Sequence, residues 1–445
     1  MPDLMNIGAS GLRAYSSALA TVGDNIANAQ TAGYARRTVR LREAPAAGDI
    51  VLSRNSIRPG GVEVAGLSRS VDSWLVDDAR ISAGDANQAS TRLNWIQAAE
   101  RAIADDGNGI GSRLTAMFSI ADELASNPAN QTLRQQFLRT VDETATGFRQ
   151  TATSLSHAST GIADAATGEV TQLNTDLHAI ERVNEGLRRA RAGSSNEATL
   201  LDERDRLLDA VSSRLPITTS FDARGAATVR VAGSGDALVA VGSISTVAAA
   251  IGTDGRVAFA LTSPVATAIT PTSGSLAGIT DASNHIADLR TDLDALAGRI
   301  ATELNTAHQA GFDANGNLGA ALFTIGSGAA SLTAVALTAD GVAVADSSSA
   351  NGNMLALSNL RGASGVEQAW ASIASAQAQA TAAARAQDAA TGARYEGASA
   401  ARDAISEVDI DREAADLLRF QQAYEAAART IQVARETMQS ILNIF

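Results

Sequence analysis

Apolar residues recur at alternating intervals of three and four near both ends of this 445-residue chain. The N-terminal series places its members on one face of a helix and stops a turn before Gly33, a residue typical of a helix end. The spacing therefore predicts an amphipathic N-terminal helix. Its members are Leu4, Gly8, Leu12, Tyr15, Leu19, Val22 and Ile26.

The C-terminal series is longer and alternates three and four without a slip over about four heptads, the pattern of a coiled-coil seam. Its members are Leu417, Phe420, Tyr424, Ala427, Ile431, Ala434, Met438, Ile441 and Phe445. A helix that stays apolar this far needs a partner, so we expect the two ends to pair with each other and with neighbouring subunits. Until then they would be only marginally ordered. The simpler alternative is that both stripes pack into one ordinary core.

The residue pattern in the middle of the chain changes twice, from helical spacing to short strand-like runs and back. Helical spacing is found over 85–215, with a break at Asn127-Pro128 where Ser126 or Asn127 would cap the next helix and Pro128 would lie in its first turn. Short runs of Thr, Val and Ile over 216–280 indicate strands, and Asp254-Gly255 between two of them predicts a hairpin turn.

Helical spacing returns over 281–310 and again over 366–402, with an irregular Gly- and Asn-rich stretch at 311–353 between them. The first of these segments carries an apolar stripe of Ile286, Leu289, Leu293, Leu296, Ile300 and Leu304. The predicted fold is mainly α: a terminal α-helical coiled coil, a long-helix central domain and a small β-rich inserted domain. The predicted domains are 1–60, which pairs with the C-terminus; 61–215 and 281–402, the two parts of the helical centre; 216–280, the insertion; and 403–445, the C-terminal helix.

The composition of the chain disfavours several classes of partner and of functional site. The formal net charge of −13 disfavours nucleic acid and anionic membranes as partners, because both are negatively charged. The absence of cysteine excludes disulfides and thiolate chemistry. We expect neither a cleavable signal peptide nor a membrane span, because no apolar run reaches the required length.

Candidate chemistry is sparse. The four histidines, at 157, 178, 285 and 308, lack metal-ligand spacing, and no nucleophile elbow or phosphate loop occurs. The segment 313–317 imitates the start of a calcium loop, but Leu318 stands where glycine is needed, so an Asx turn is the better interpretation. The charge run 202–206 suggests ion pairs on a helix surface. We therefore predict no catalytic, cofactor-binding or metal-binding residues, and no enzyme.

Both ends carry motifs that resemble those shared by flagellar rod, hook and hook-associated proteins. At the N-terminal end these are Asn25-Ile26-Ala27-Asn28 and Thr31-Ala32-Gly33-Tyr34. At the C-terminal end they are Ser406-Glu407-Val408-Asp409-Ile410-Asp411 and Phe420-Gln421-Gln422-Ala423-Tyr424. The resemblance implies an axial architecture like that of flagellin and the hook-associated proteins.

Three internal stretches resemble the FlgK family of hook–filament junction proteins within that group. They are 124–138, containing Asn127-Pro128; 201–208, containing the charge run; and 305–316, ending in Gly311-Phe312-Asp313-Ala314-Asn315-Gly316. The resemblance covers nearly the whole chain, and the small 216–280 insertion is its main departure, since many members carry a larger outer domain.

The resemblance implies a structural subunit that forms an adapter ring between hook and filament and is needed for filament assembly and motility. It further implies a secreted, extracellular protein, exported unprocessed by the flagellar type III apparatus. Its implied partners are copies of itself, the hook protein, the second hook-associated junction protein and a cytoplasmic export chaperone on the C-terminal helix.

We assign the assembly interface to both ends. Its predicted residues are Leu4, Leu12, Tyr15, Leu19, Val22, Asn25, Ile26, Asn28, Gly33, Tyr34, Leu417, Phe420, Gln421, Tyr424, Ile431, Met438, Ile441 and Phe445. Two other readings are a flagellar hook or distal-rod subunit, and an enzyme or peptidoglycan-active axial protein; the missing catalytic groups disfavour the second.

Overall fold

A computed structural model describes residues 2–44, 60–105, 107–262, 266–362 and 364–443. Its helices are α1 (Pro2–Ala27), α2 (Ser73–Ala102), α3 (Ile110–Ser126), α4 (Gln131–Arg189), α5 (Ser195–Ser212), α6 (Gly274–Gln309), α7 (Gly352–Ser358), α8 (Val366–Ser406) and α9 (Ile410–Leu442). Its strands are β1 (Arg37–Glu43), β2 (Val62–Arg69), β3 (Ile217–Phe221), β4 (Ala227–Val231), β5 (Ala237–Ala240), β6 (Ser243–Ile244), β7 (Val247–Ile251), β8 (Val257–Leu261), β9 (Thr267–Ile269), β10 (Phe323–Thr324) and β11 (Thr333–Ala334).

The mainly helical fold with small sheets confirms the predicted fold class. Long helices arise because Ala, Leu, Arg, Gln and Glu dominate these segments and have high helix propensity. None of the described helices is long and apolar enough to cross a membrane.

The chain forms two units. Unit 1 comprises Met1–Gly84, Gln172–Thr246 and Gly392–Phe445. In it α1 packs along α9, β1 and β2 form an antiparallel pair, and β3 to β6 form an antiparallel sheet in chain order. Asn184 of α4 fixes that sheet, because its side chain donates to the Ala227 carbonyl at 2.8 Å and accepts from the Ala227 N–H at 2.7 Å.

Unit 2 comprises Asp85–Thr171 and Val247–Thr391. Its core contains the fully buried rings of Phe118, Phe137 and Phe148 and the predicted apolar stripe of α6. That stripe is Ile286, Leu289, Leu293, Leu296, Ile300 and Leu304, and every member is buried.

The strand-rich stretch over 216–280 is divided between the units, because β3 to β6 lie in unit 1 and β7 to β9 lie in unit 2. Its last residues, from Gly274 onward, are the first turns of α6. The predicted hairpin is confirmed: β7 pairs with β8, and Gly255 between them has φ +87°. The predicted domain boundaries stay predictions.

The predicted cap at the first helix break was wrong. Asn127 ends α3, and Asn130 caps α4 by accepting from the N–H groups of Thr132 at 3.0 Å and Leu133 at 3.2 Å. Pro128 therefore lies in the connection and not in the first turn of α4.

Candidate assembly site

Small residues line the contact that α1 makes with α9. Gly8, Gly11, Ala14 and Ala18 are all buried on one face of α1. A side chain on Gly8 would meet Ile431 Cγ1 at 2.6 Å, and one on Gly11 would meet the Ala427 side chain at 3.2 Å. The helices approach this closely because α1 offers only hydrogen or methyl groups along the row.

The predicted stripe of α1 shares Gly8 with this row, and its other members lie beside the row and are only partly covered. Val22 is buried, whereas Leu12, Tyr15 and Leu19 are half-buried. Leu4 and Ile26 are exposed, at 47% and 36% of their surface. The pattern therefore found the right helix, but small side chains make its closest contacts.

The predicted seam of α9 is covered to different degrees. Ala434 is buried, and Leu417, Phe420, Ala427 and Ile431 are half-buried. The ring of Phe420 lies 6.5 Å from that of Tyr15. The exposed members are Tyr424, Met438 and Ile441, while Phe445 lies outside the described residues. Gln421, predicted as an interface residue beside the seam, is exposed as well. Within a single chain, α1 and α9 therefore cover one side of each other.

Two glycines of α1 provide a matched test of this packing. We expect Gly8→Ala to lower the free energy of unfolding by about 1–3 kcal/mol, because the new methyl group would overlap Ile431. We expect Gly23→Ala to raise it by up to about 1 kcal/mol, because no atom lies within 4 Å of its added Cβ and alanine favours helix. Urea unfolding measures both; equal effects of the two substitutions would contradict the close approach.

Asn25 of α1 forms hydrogen bonds to Arg37 of β1 and Glu413 of α9, and we call this cluster of contacts the joint. The residue is only 1% exposed. Its Oδ1 accepts from the Arg37 N–H at 3.0 Å and from the Tyr34 hydroxyl at 2.8 Å. Its Nδ2 donates to the Arg37 carbonyl at 2.9 Å and to Glu413 Oε2 at 3.0 Å. The side chain therefore uses its full hydrogen-bonding capacity, and only Asn offers this arrangement of donors and acceptors at this length.

Glu413 completes the joint from the side of α9 and is fully buried. Its Oε1 accepts from Arg36 Nε at 2.6 Å, and Arg36 also reaches Asp416 at 3.4 Å. The Arg36 N–H donates to the Ser406 carbonyl at 2.9 Å. Asp409 caps α9 by accepting from the Asp411 and Arg412 N–H groups, so this joint brings the two terminal motifs together.

The rest of the N-terminal motif shapes the turn after α1. Asn28 donates to the Asp24 carbonyl at 2.9 Å, and the exposed Gly33 has φ +80°, a conformation that favours glycine. Tyr34 is half-buried, and burial raises the pKa of its phenol to about 12 against the opposing effect of the nearby Arg37. The side chains of this motif therefore satisfy backbone groups at the turn.

The charge run 202–206 belongs largely to a buried network and not to a helix surface, which corrects the sequence interpretation. Asp202 accepts from Arg37 at 2.6 Å and from Arg69 at 2.7 Å. Asp205 accepts from Arg69 at 2.8 Å and from Arg204 at 2.5 Å. The predicted surface pairing describes only Glu203 and Arg206, three residues apart, whose side chains are 42% and 53% exposed.

Arg80 and Asp209 extend this network, with Arg80 Nε 2.6 Å from Asp209 Oδ1. Burial acts to raise the pKa of Asp205, but the Arg204 and Arg69 guanidiniums outweigh it and lower that pKa. Burial dominates at Asp209 and raises its pKa despite Arg80. The network therefore holds β1, β2, α2 and α5 together at the base of the terminal helices.

The described residues offer little for chemistry. They contain no group of three or more His, Cys, Asp or Glu side chains placed to hold a metal ion. Buried His308 bridges the Ala320 carbonyl at 2.6 Å and the Ala343 N–H at 2.9 Å, and burial lowers its pKa. Asp313 accepts from the N–H groups of Asn315 and Asn317, each at 2.8 Å, which confirms the Asx turn.

Three protein families match this chain. Residues 96–323 match the family described as "Flagellar hook-associated protein FlgK helical domain". Residues 403–444 match "Flagellar basal body rod FlgEFG protein C-terminal", and residues 5–34 match "Flagella basal body rod protein". The two terminal matches contain most of α1 and all of α9, and the first match covers half of the chain.

The individual relatives of this chain are also flagellar hook-associated proteins. The chain is 28% identical to flagellar hook-associated protein 1 of Salmonella typhimurium over 337 residues, which cover 74% of this chain. It is 24% identical to the Escherichia coli protein of the same name over 336 residues, or 73% of this chain. The chain spans 60% of the length of either relative.

A solved structure shares the fold. The flagellar hook junction protein FlgK from Burkholderia pseudomallei aligns with a TM-score of 0.50 and 20% identity. The alignment covers 56% of this chain and 46% of that one.

Proposed function

The chain belongs to the FlgK family of flagellar hook-associated proteins, and we propose that it is a structural subunit of the hook–filament junction. In this proposal copies of the chain form an adapter ring between hook and filament, on which filament assembly and motility depend. The subunit works outside the cell, after export through the flagellar type III apparatus, and performs no catalysis.

The observation that carries the proposal is the joined pair of terminal helices. Asn25, Arg36 and Glu413 lock α1 to α9 through buried polar contacts, while Tyr424, Met438 and Ile441 stay exposed along α9. The polar contacts fix one end of the helix pair, and apolar side chains remain on its outer faces. Burial of these side chains against neighbouring subunits would lower the free energy of the assembly, so the pair is suited to packing between repeated subunits.

The proposed partners follow from the same surfaces. Copies of the chain would cover the exposed sides of the terminal pair, with the hook protein and the second hook-associated junction protein as the neighbours at either end of the ring. Before export, a cytoplasmic chaperone would hold the C-terminal helix, whose exposed apolar residues otherwise favour aggregation.

A hook or distal-rod subunit is less well supported. The terminal matches are to rod-protein families, so the ends alone do not separate these classes. The match of residues 96–323 to the FlgK helical domain favours the junction, because it covers the part of the chain in which axial proteins differ.

Deletion of the gene tests the proposal. We expect cells that build complete hooks, carry no filaments and release unpolymerised flagellin into the medium, because filament subunits would lack their base. Electron microscopy of the cells and immunoblots of the medium give the result, and complementation with the intact gene is the control. Normal filaments in the deletion strain, or loss of the hooks as well, would contradict a junction role.

A further inference from the structure

The first three turns of α2, in unit 1, present two large apolar side chains to solvent. Trp74 is 71% exposed and Ile81 is 60% exposed. They lie seven residues apart, so they point to the same side of the helix, roughly 10 Å from each other at 1.5 Å per residue. Asp72 fixes the start of the helix by accepting from the N–H groups of Trp74 at 2.9 Å and Leu75 at 3.3 Å. Trp74 therefore does not owe its exposure to a frayed helix end.

Two carboxylates lie between these side chains. Asp77 and Asp78 are on the same side of α2 as Trp74 and Ile81, and we call the four residues the α2 stripe. Asp77 is 62% exposed and pairs only loosely with Arg80, at 3.7 Å, and Asp78 has no ion-pair partner among the described residues. A molecule that covers the apolar side chains also takes water from both carboxylates, which is costly unless it brings positive charge. The stripe therefore fits a cationic partner.

Arginine is the cation that this chain can offer, since all 35 of its Lys and Arg residues are arginines. A guanidinium can stack on an aromatic ring while it pairs with a carboxylate. The chain already uses such stacking, with Arg204 4.1 Å from the ring centre of Phe221 and Arg37 4.7 Å from that of Tyr34. Trp74 has no arginine over its ring among the described residues of its own copy. Its indole is therefore free to receive one from a neighbour.

Strand β1 carries a pair of arginines that suits this stripe. Arg40 and Arg42 are exposed and lie two residues apart, so they point to one face of the strand, about 6.6 Å from each other. Arg40 has no ion-pair partner among the described residues, and Arg42 pairs with the exposed Glu63 at 3.0 Å. No other described strand or helix of unit 1 places two exposed arginines two residues apart on one face. Two neighbouring cations thus match two neighbouring carboxylates.

We propose that the Arg40 and Arg42 face of β1 in one copy docks on the α2 stripe of a second copy. The Arg40 guanidinium lies over the Trp74 ring and pairs with Asp78, and Arg42 pairs with Asp77. Charge favours this occupant, because copies with a net charge of −13 repel each other except where a basic surface meets an acidic one. The inference rests on the proposed function, since a junction ring brings copies of the chain together.

The position of β1 agrees with a contact between copies. Both β1 and β2 contact α1, so the docked face lies beside the terminal helix pair, whose exposed sides the proposed function buries between subunits. The strand and the stripe are different surfaces, so each copy offers β1 to one neighbour and α2 to the other. Such heterologous contacts form a ring when the rotation between copies closes.

Disulfide trapping in isolated flagella tests the contact, because the chain has no cysteine of its own. We expect Ile81→Cys combined with Arg42→Cys to give a ladder of covalent oligomers on oxidation, whereas a single cysteine can link two chains at most. Ile81→Cys with Arg182→Cys is the matched control, because Arg182 is an exposed arginine of unit 1 that lies on α4. Equal ladders from both pairs, or none from the first, would overturn the proposal.

A charge exchange in the Ile81→Cys and Arg42→Cys background isolates the pairing. Arg40→Asp and Asp78→Arg each bring like charges together, so we expect either change alone to lower the yield of oligomers roughly tenfold. Both changes together restore opposite charges and should recover the yield, which a merely structural role of either residue would not do. Unchanged yields in the single variants, or no recovery in the combined one, would overturn the pairing. Failure of the proposed function looks different, because the unsubstituted protein would then be missing from isolated flagella.

Discussion

Replacing Glu413 with alanine is expected to release α9 from α1 and from Arg36. The carboxylate is fully buried and accepts from Arg36 at 2.6 Å and Asn25 at 3.0 Å. Its removal leaves Arg36 with only Asp416, 3.4 Å away, and leaves one donor of Asn25 without an acceptor. Breaking a buried ion pair from one side costs about 3–5 kcal/mol, because the remaining charge stays desolvated.

Limited proteolysis measures this release. Arg13 and Arg429 are exposed and lie on α1 and α9, so trypsin reports the opening of the pair. A loss of about 3 kcal/mol raises the open population, and with it the cleavage rate, roughly a hundredfold. Glu425→Ala, at an exposed position of the same helix, should change the rate little. Equal rates in the two variants would show that Glu413 does not hold the pair.

The second large effect is expected in Ile431→Asp. Ile431 lies where α9 approaches Gly8 of α1 most closely, and it is half-buried in a single chain. Because Ile431 is only half-buried, lost burial alone costs roughly 1 kcal/mol, and an unpaired carboxylate between packed helices adds to this cost. In cells, we expect complete hooks without filaments and flagellin free in the medium.

Arg429→Ala is the control for this change, because Arg429 is exposed and lies off the predicted seam. Cells with that substitution should swim normally. If Ile431→Asp cells also swim normally while the protein is present on their flagella, the C-terminal helix does not assemble through this face.

The long helices could be predicted because their apolar spacing repeats over many turns. Every member of the predicted α6 stripe is buried, and the paired ends follow from the same kind of pattern. Position along a stripe does not say how deeply each residue is covered, however. Leu4 and Met438 are both 47% exposed, since one partner helix covers only one side of a stripe.

Gly8 belonged to the predicted stripe, but the rest of the contact row of α1 escaped prediction because Gly11, Ala14 and Ala18 carry little hydrophobic signal. These residues matter because they have no large side chains, which lets Ile431 approach α1 closely. Regular occurrence of Gly and Ala at intervals of three and four on one helix face was the available signal.

The buried charges were misjudged for a different reason. The sequence interpretation paired Asp202 and Asp205 with neighbours on their own helix, whereas their partners Arg37 and Arg69 are more than 130 residues away. Local spacing cannot reveal such pairs. Glu413 was missed likewise, because its partners Asn25 and Arg36 lie at the other end of the chain.

The position of the protein on the flagellum tests the central claim most directly. Val241 is 78% exposed on a hairpin tip, so Val241→Cys provides a single site for a gold label on a chain without other cysteines. Electron microscopy of labelled, isolated flagella should show gold only at the boundary between hook and filament. Gold spread along the hook, gold on the rod, or flagella without any gold would contradict the assignment of this chain to the junction.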